Sequence, residues 1–435
     1  MDVTKPKITE KTQNIIKFYN FEKDVCILEA IKESIVRDIP QEGIEWHRSY
    51  GRTTKTVFLE ASIIPFVDDC LNESPEKCQL FSEPLLHTFW MDCCDVDVYK
   101  TSIRDEMLAW INKLQKHSVN DWVVVVMESS DSKKGNKTKL LSRTSVVDKV
   151  KADFPQGLKN PAERCVIFSD ATKNDAKSNE LYQQFLQKIR ALLSNACSRQ
   201  LTKYEDHIRM QRENRNSSSW NFFDFFILQE ELALAFEMLG LFDEALVQYD
   251  ELDALFSQFV INSNLDEVPL WLRSLGDNCN VWHGLCLSKN VYIDLRGRIK
   301  NSESSLLDLR NYLFARQCDL LLLQNKPWEV ATRSLPFLQN CVNELCTLEV
   351  CLVEGAVACW VFLSALEILQ KCERYSDSSQ METYSRFTVG LWAYARKKLE
   401  ELGHLAGLMP NMTHTSDCII KVVALIAGMG QDPHS

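Results

Sequence analysis

The run DWVVVVMES (121–129) limits what this chain can fold into more than any other stretch. Its consecutive valines offer no polar side to water, and branching at Cβ favours extended backbone, so the run predicts a strand covered on both faces. Helices supply that cover in α/β architectures. The surrounding sequence agrees. NIIKFYN (13–19), KTVFLEASII (55–64), LLHTFWMDC (85–93) and RCVIFSD (164–170) read as extended, while 22–39, 97–117 and 143–154 repeat apolar residues at helical spacing. Strands separated by helices pair in parallel, because the helix provides the crossover. Residues 1–175 are therefore expected to form an α/β domain.

After Asp170 the character changes. ATKNDAKSN (171–179) is a polar break, and from Glu180 onward no stretch reads as a strand. Within 181–215, Leu181, Phe185, Ile189, Leu192, Ala196, Tyr204 and Ile208 fall on one helical stripe. NSSSW (216–220) interrupts it, and helical signals then follow one another to the end. Residues 176–435 are expected to form an all-α helical solenoid.

One unit of that solenoid is legible as a repeat. In QEELALAFEMLGLFDEALVQYDELDALFSQFV (229–260), Ala233, Gly240, Phe242, Ala245 and Tyr249 stand at the offsets of a tetratricopeptide helical hairpin, with Leu232 and Phe236 also fitting. Small residues let the two helices approach, and aromatics fill the groove beside them. The usual Trp and closing Pro are missing, and the echoes at 327–335 and 387–403 are weaker. A lone hairpin cannot bury its own apolar face, so it must stack on neighbours. An irregular solenoid with one regular, tetratricopeptide-like unit follows.

The same hairpin concentrates charge. From Asp224 to Val260 there are nine carboxylates and no Lys or Arg, in a chain of net charge −11. A solvated helix face is the plain reading; a docking surface for a basic partner, centred on Asp250, Glu251 and Asp253, is the functional one. The overall negative charge opposes binding to nucleic acid or to an anionic bilayer. The polar N-terminus and the lack of a long apolar run give the expectation of a soluble, intracellular chain without a transmembrane segment. Its sixteen cysteines then read as reduced thiols.

Catalytic and metal signals are poor. The loop SDSKKGNKTK (130–139) follows a strand but lacks the glycine spacing of a phosphate cradle. No GxSxG, HExxH or GxGxxG occurs. Cys93 and Cys94 are adjacent, and Cys341, Cys346 and Cys351 recur every five residues, about 140° further round a helix at each step. The best metal candidate, Cys279, His283 and Cys286, sits beside Gly284 in a stretch that reads as loop. No catalytic, cofactor-binding or metal-binding residue is assigned.

EWHRSYGR (45–52), RTSVVDKVKADF (143–154), the hairpin at 229–260, LLDLRNYLFARQCDLLL (306–322), PWEVA (327–331) and FTVGLWAYA (387–395) closely resemble the trafficking protein particle complex subunit 10 family. They occur in family order and cover most of the chain. The resemblance implies an N-terminal α/β domain followed by an α-solenoid. It implies a non-catalytic subunit, without cofactor, of a vesicle-tethering complex that exchanges guanine nucleotide on Rab GTPases at an exchange site built by other, small subunits. Its partners would be the other subunits of that complex and, through the assembly, a Rab GTPase. Its place would be cytoplasmic and Golgi-associated, peripheral to the membrane through the complex. Two other readings remain open: an α/β enzyme with a helical accessory domain and a pocket near Glu128 and Asp170, and a free-standing helical-repeat adaptor.

Overall fold

The computed structural model describes residues 14–19, 25–48, 54–65, 84–92, 95–127, 145–155, 160, 163–169, 176–262, 269–276, 279, 284–350, 352–375, 378–410 and 417. An α/β region precedes a long all-helical one. By packing, the chain divides into two compact units, Met1–Asp206 and His207–Ser435.

The first unit is built on a parallel sheet of β1 (Asn14–Tyr19), β4 (Ala61–Pro65), β5 (Leu86–Met91), β6 (Trp122–Met127) and β7 (Cys165–Phe168), in the order β4-β1-β5-β6-β7. Val124 and Val126 of the valine run face the same side as Phe89 and Met91, in a cluster with Met107, Trp110 and Val150. That side is covered by α3 (Arg104–Lys116) and α4 (Val146–Asp153). A one-turn α2 (Val96–Val98) and a π-helical turn at Tyr99–Ile103 lead into α3. On the opposite side, Trp90 and Phe168 meet Phe185 of α5 (Ala176–Glu213) at ring distances of 5.9 and 5.1 Å. Both faces of the sheet are thus buried, as the uninterrupted valines require.

Along α5, Phe185, Ile189, Ala196 and Ile208 of the expected stripe are buried, and Leu181, Leu192 and Tyr204 are half-buried. Arg190 of the same helix is charged yet sits among them. It is buried, donating to the Ile39 and Asp38 carbonyls at 2.9 and 2.7 Å at the C-terminal end of α1 (Val25–Asp38), and it pairs with Glu42. The stretch read as one extended run at 55–64 is two strands in two sheets. Its first part, β3 (Thr54–Val57), pairs antiparallel with β2 (Ile44–His47), which the sequence reading did not mark as a strand. Its second part is the edge strand β4.

The second unit is helical. It runs through α6 (Phe222–Met238), α7 (Phe242–Ile261), α8 (Leu270–Ser274), α9 (Lys289–Lys300), α10 (Leu306–Leu323), α11 (Pro327–Thr347), α12 (Ala356–Tyr375) and α13 (Met381–Leu405). Successive helices pack: α6 on α7, α7 on α10, α10 on α11, α11 on α12, and α13 on both α11 and α12. Local signals set the boundaries. Asn221 caps α6 through the Phe223 N–H, Ser305 and Asp308 form a capping box at the start of α10, and Pro327 opens α11. Among the described residues no helix is long and apolar enough to cross a membrane.

Candidate functional site

The α6–α7 hairpin places the residues singled out in sequence at its contact. Ala233, Ala245 and Tyr249 are fully buried, and Phe242 is half-buried at the first position of α7. Gly240 sits in the turn with φ +72°, and a Cβ there would meet nothing within 4 Å. Its role is therefore conformational rather than steric, since L side chains resist that backbone geometry. The turn closes with the Leu241 N–H donating to the Phe236 carbonyl at 2.8 Å, the six-to-one bond of a Schellman ending.

Around this contact lies a polar network centred on α10. Arg316 donates to Glu237 of α6 and, at 3.0 Å, to the Tyr249 hydroxyl of α7. Arg310 donates to Asp253 and Ser257 of α7 and, at 2.7 Å from its Nε, to Glu344 of α11. Glu230 of α6 is fully buried; it accepts from Arg296 of α9 at 2.7 Å and from the Tyr312 hydroxyl. Burial alone would weaken the charge on Arg316 and Arg310, but the carboxylates beside them raise both above the ordinary guanidinium value. Burial, reinforced by Glu230, likewise drives the Tyr312 phenol far up, so it stays a donor. The two arginines and the tyrosine thus retain the protons that their bonds require.

The acidic triplet on α7 belongs to the same system. Asp250 accepts from Arg333 of α11 at 2.7 Å and from Gln317 of α10 at 2.9 Å. Glu251 pairs with Arg212 and accepts from Gln229 at 3.0 Å. Asp253 pairs with Arg310. At least six of the nine carboxylates of the segment, Glu230, Glu237, Asp243, Asp250, Glu251 and Asp253, are in ion pairs with cations from other segments of this unit. What the arrangement does chemically is brace helix against helix.

The sequence reading passed over Arg310 and Arg316. A signal was present: LLDLRNYLFARQCDLLLL carries apolar residues on every side, which marks a fully buried helix, and a buried helix must pair its charges.

The loop 130–139, Glu128, Asp170, Cys93, Cys94, His283 and Cys351 lie outside the described residues. The strand order bears on the pocket expected near Glu128 and Asp170. In an open α/β sheet, ligands settle where the order reverses, which here is between β1 and β5 rather than at β6 and β7. Cys341 is buried and Cys346 exposed, so they point apart. Cys279 contacts the Leu275 carbonyl, and Cys286 contacts Ser288. Among the described residues no group of three His, Cys, Asp or Glu side chains is placed to hold a metal ion.

Comparison with known proteins adds identity to this geometry. Residues 10–215 match the family described as trafficking protein particle complex subunit 10-like, N-terminal. The chain is 43% identical over 409 residues to trafficking protein particle complex subunit 10 of Homo sapiens, covering 94% of this chain and 32% of that protein. Against the Drosophila melanogaster protein of the same name the identity is 38%, over 94% of this chain and 35% of the relative. A trafficking protein particle complex II-specific subunit 130 homolog of Arabidopsis thaliana is 26% identical over 82% of this chain. The chain spans about a third of the length of the first two relatives.

Proposed function

The chain belongs to the trafficking protein particle complex subunit 10 family, and we propose that it is a non-catalytic scaffold subunit of a vesicle-tethering complex that exchanges nucleotide on Rab GTPases at the Golgi. The observation that carries this reading is the extent of the likeness, which reaches through both the α/β region and the stacked helices. The cross-braced helices add physical support. A scaffold must present fixed surfaces, and Arg310, which ties α10 to both α7 and α11, holds three helices in one arrangement. In this reading the α/β domain occupies 1–175 and the α-solenoid, with its tetratricopeptide-like hairpin, 176–435.

Its partners are the other subunits of the complex, and a Rab GTPase meets it only through the assembly. The carboxylates at Asp250, Glu251 and Asp253 act first on Arg333, Arg212 and Arg310 of their own unit, so a basic partner would have to compete for them. The test is affinity purification from cells with this chain as bait and mass-spectrometric identification of what is bound. Recovery of several subunits of one trafficking particle in fixed ratio supports the scaffold reading. Recovery of none of them, with the chain folded, overturns it.

A further inference from the structure

Residues 284–288, GLCLS, precede α9 and belong to no helix or strand. Three successive amides of this segment nevertheless end on side chains of distant helices. The Leu285 N–H donates to Ser364 Oγ of α12 at 2.8 Å, the Cys286 N–H to Asn311 Oδ1 of α10 at 3.3 Å, and the Leu287 N–H to Glu367 Oε1 of α12 at 3.3 Å. The Leu287 carbonyl accepts from Lys371 Nζ of α12 at 3.1 Å and from the Tyr292 hydroxyl of α9 at 3.2 Å. Lys371 also pairs with Asp319 of α10 at 3.9 Å, so α10 and α12 stand as the two walls of a cleft. Most hydrogen bonds in a protein join backbone to backbone. Here two helices present side chains to a main chain that runs between them.

The side chains of the segment follow the same plan. Leu285 and Leu287 are buried, Cys286 between them is half-buried, and Ser288 is exposed. That alternation marks an extended chain lying with one side inward. Gly284 has φ +66°, and a Cβ there would stand 2.8 Å from Leu363 Cβ and 3.2 Å from the Ser364 nitrogen, so glycine lets the segment come down on the α12 backbone. The polar contacts from α10 and α12 address the main chain. What they demand of the sequence is a glycine and two leucines at alternate positions, with the residue between the leucines left open. Grooves bind extended peptides in this way: main-chain bonds hold the strand, and pockets for alternate side chains select it.

We propose that the cleft between α10 and α12 recognises an extended Gly-Leu-x-Leu segment of another protein, and that residues 284–288 occupy it in cis as its resident ligand. The site is independent of the scaffold reading. A segment tethered beside its cleft acts at an effective concentration on the order of millimolar, so a partner displaces it when further contacts outside the cleft hold that partner nearby. The exchange leaves the cleft satisfied, because the incoming leucines and amides take the places of those that leave.

The test follows fluorescence anisotropy of a labelled synthetic peptide with the sequence of residues 282–290 and Cys286→Ser, titrated with the full chain. Wild type is compared with the pair Leu285→Ala and Leu287→Ala, which empties the anchors in cis, and with that pair plus Glu367→Leu. Circular dichroism establishes that each variant is folded. The double alanine variant is expected to bind the probe at least about tenfold more tightly than wild type, because the tethered competitor is weakened. Adding Glu367→Leu, or Gly284→Ala in the probe, is expected to reverse that gain. Equal binding to wild type and the double variant overturns the proposal, as does a gain that survives Gly284→Ala in the probe. Hydrogen exchange of the wild-type chain decides the question without any variant. If the segment leaves its cleft while the helices stay folded, the amides of Leu285, Cys286 and Leu287 exchange at least about tenfold faster than those in the middle of α10 and α12. Exchange at the pace of those helices makes the segment a fixed part of the core and overturns the proposal.

Discussion

Gly240 and Arg310 show how differently single residues hold this helical unit. Gly240 has open space where a side chain would go, so Gly240→Ala acts through the backbone alone and should cost about 1 to 2 kcal/mol. Ala245 is the opposite case, fully buried between helices, and Ala245→Trp should cost roughly 1 to 3 kcal/mol by overpacking. A thermal melt unchanged by the second variant would remove Ala245 from the helix contact. Arg310→Met leaves Glu344 buried without its cation and should cost on the order of 3 to 5 kcal/mol. Adding Glu344→Leu removes the stranded charge, so the double variant should recover much of that loss. If the double variant melts no higher than the single one, the arginine matters for packing and not for charge. In the first unit, burial alone would raise the Asp153 carboxyl, but Lys149 and Arg104 hold it below its ordinary value of 3.8. A depressed carboxyl stabilises the fold fully above that ordinary value and loses the contribution as pH falls through the folded one. The melting difference between wild type and Asp153→Asn should therefore be flat near neutrality and shrink below pH 3.8. A difference that grows on acidification would contradict the pairing.

Elements were legible where their periodicity was local and hidden where they depended on a distant partner. The valine run announced β6, and with it helices on both faces, because its side chains leave no other way to exclude water. β2 stayed hidden because IEWH is four residues long and gains its strand character from Thr54–Val57 across a hairpin. The run at 55–64 looked continuous because extended propensity marks a conformation and not a partner. The partners of the α10 arginines were hidden for the same reason: Arg310 lies 57 residues from Asp253 and Arg316 lies 79 from Glu237. The acidic character of α7 could be read directly, but the arginines that meet it come from α10, α11 and the end of α5. This predicts what charge reversal does to the element. Asp250, Glu251 and Asp253 changed together to Lys would set like charges against Arg333, Arg212 and Arg310, lowering the melting temperature by on the order of 5 °C. A triple variant that melts as wild type but loses partner subunits would instead return these residues to a docking role.

At the scale of the whole molecule, the question is whether a chain of this construction acts on a nucleotide-bound GTPase by itself. Releasing nucleotide requires a surface that distorts the GTPase pocket, and differential affinity for the distorted state sets how far a partner can drive it. The described surfaces are stacked helices whose buried charges are spent on one another, and a sheet whose order reverses between β1 and β5. On the proposed scaffold reading, any effect on exchange is expected from the assembled particle. The measurement is release of a fluorescent guanine nucleotide from candidate Rab proteins, with this chain alone, with the small core subunits alone, and with both. The chain alone should leave the spontaneous rate unchanged. The mixture should differ from the core alone in which Rab it accepts, because a scaffold alters specificity by adding or obstructing contacts rather than by supplying the distorting surface. Acceleration by the isolated chain would end the non-catalytic reading outright and direct attention to the α/β unit, at the carboxyl ends of β1 and β5 where the strand order turns.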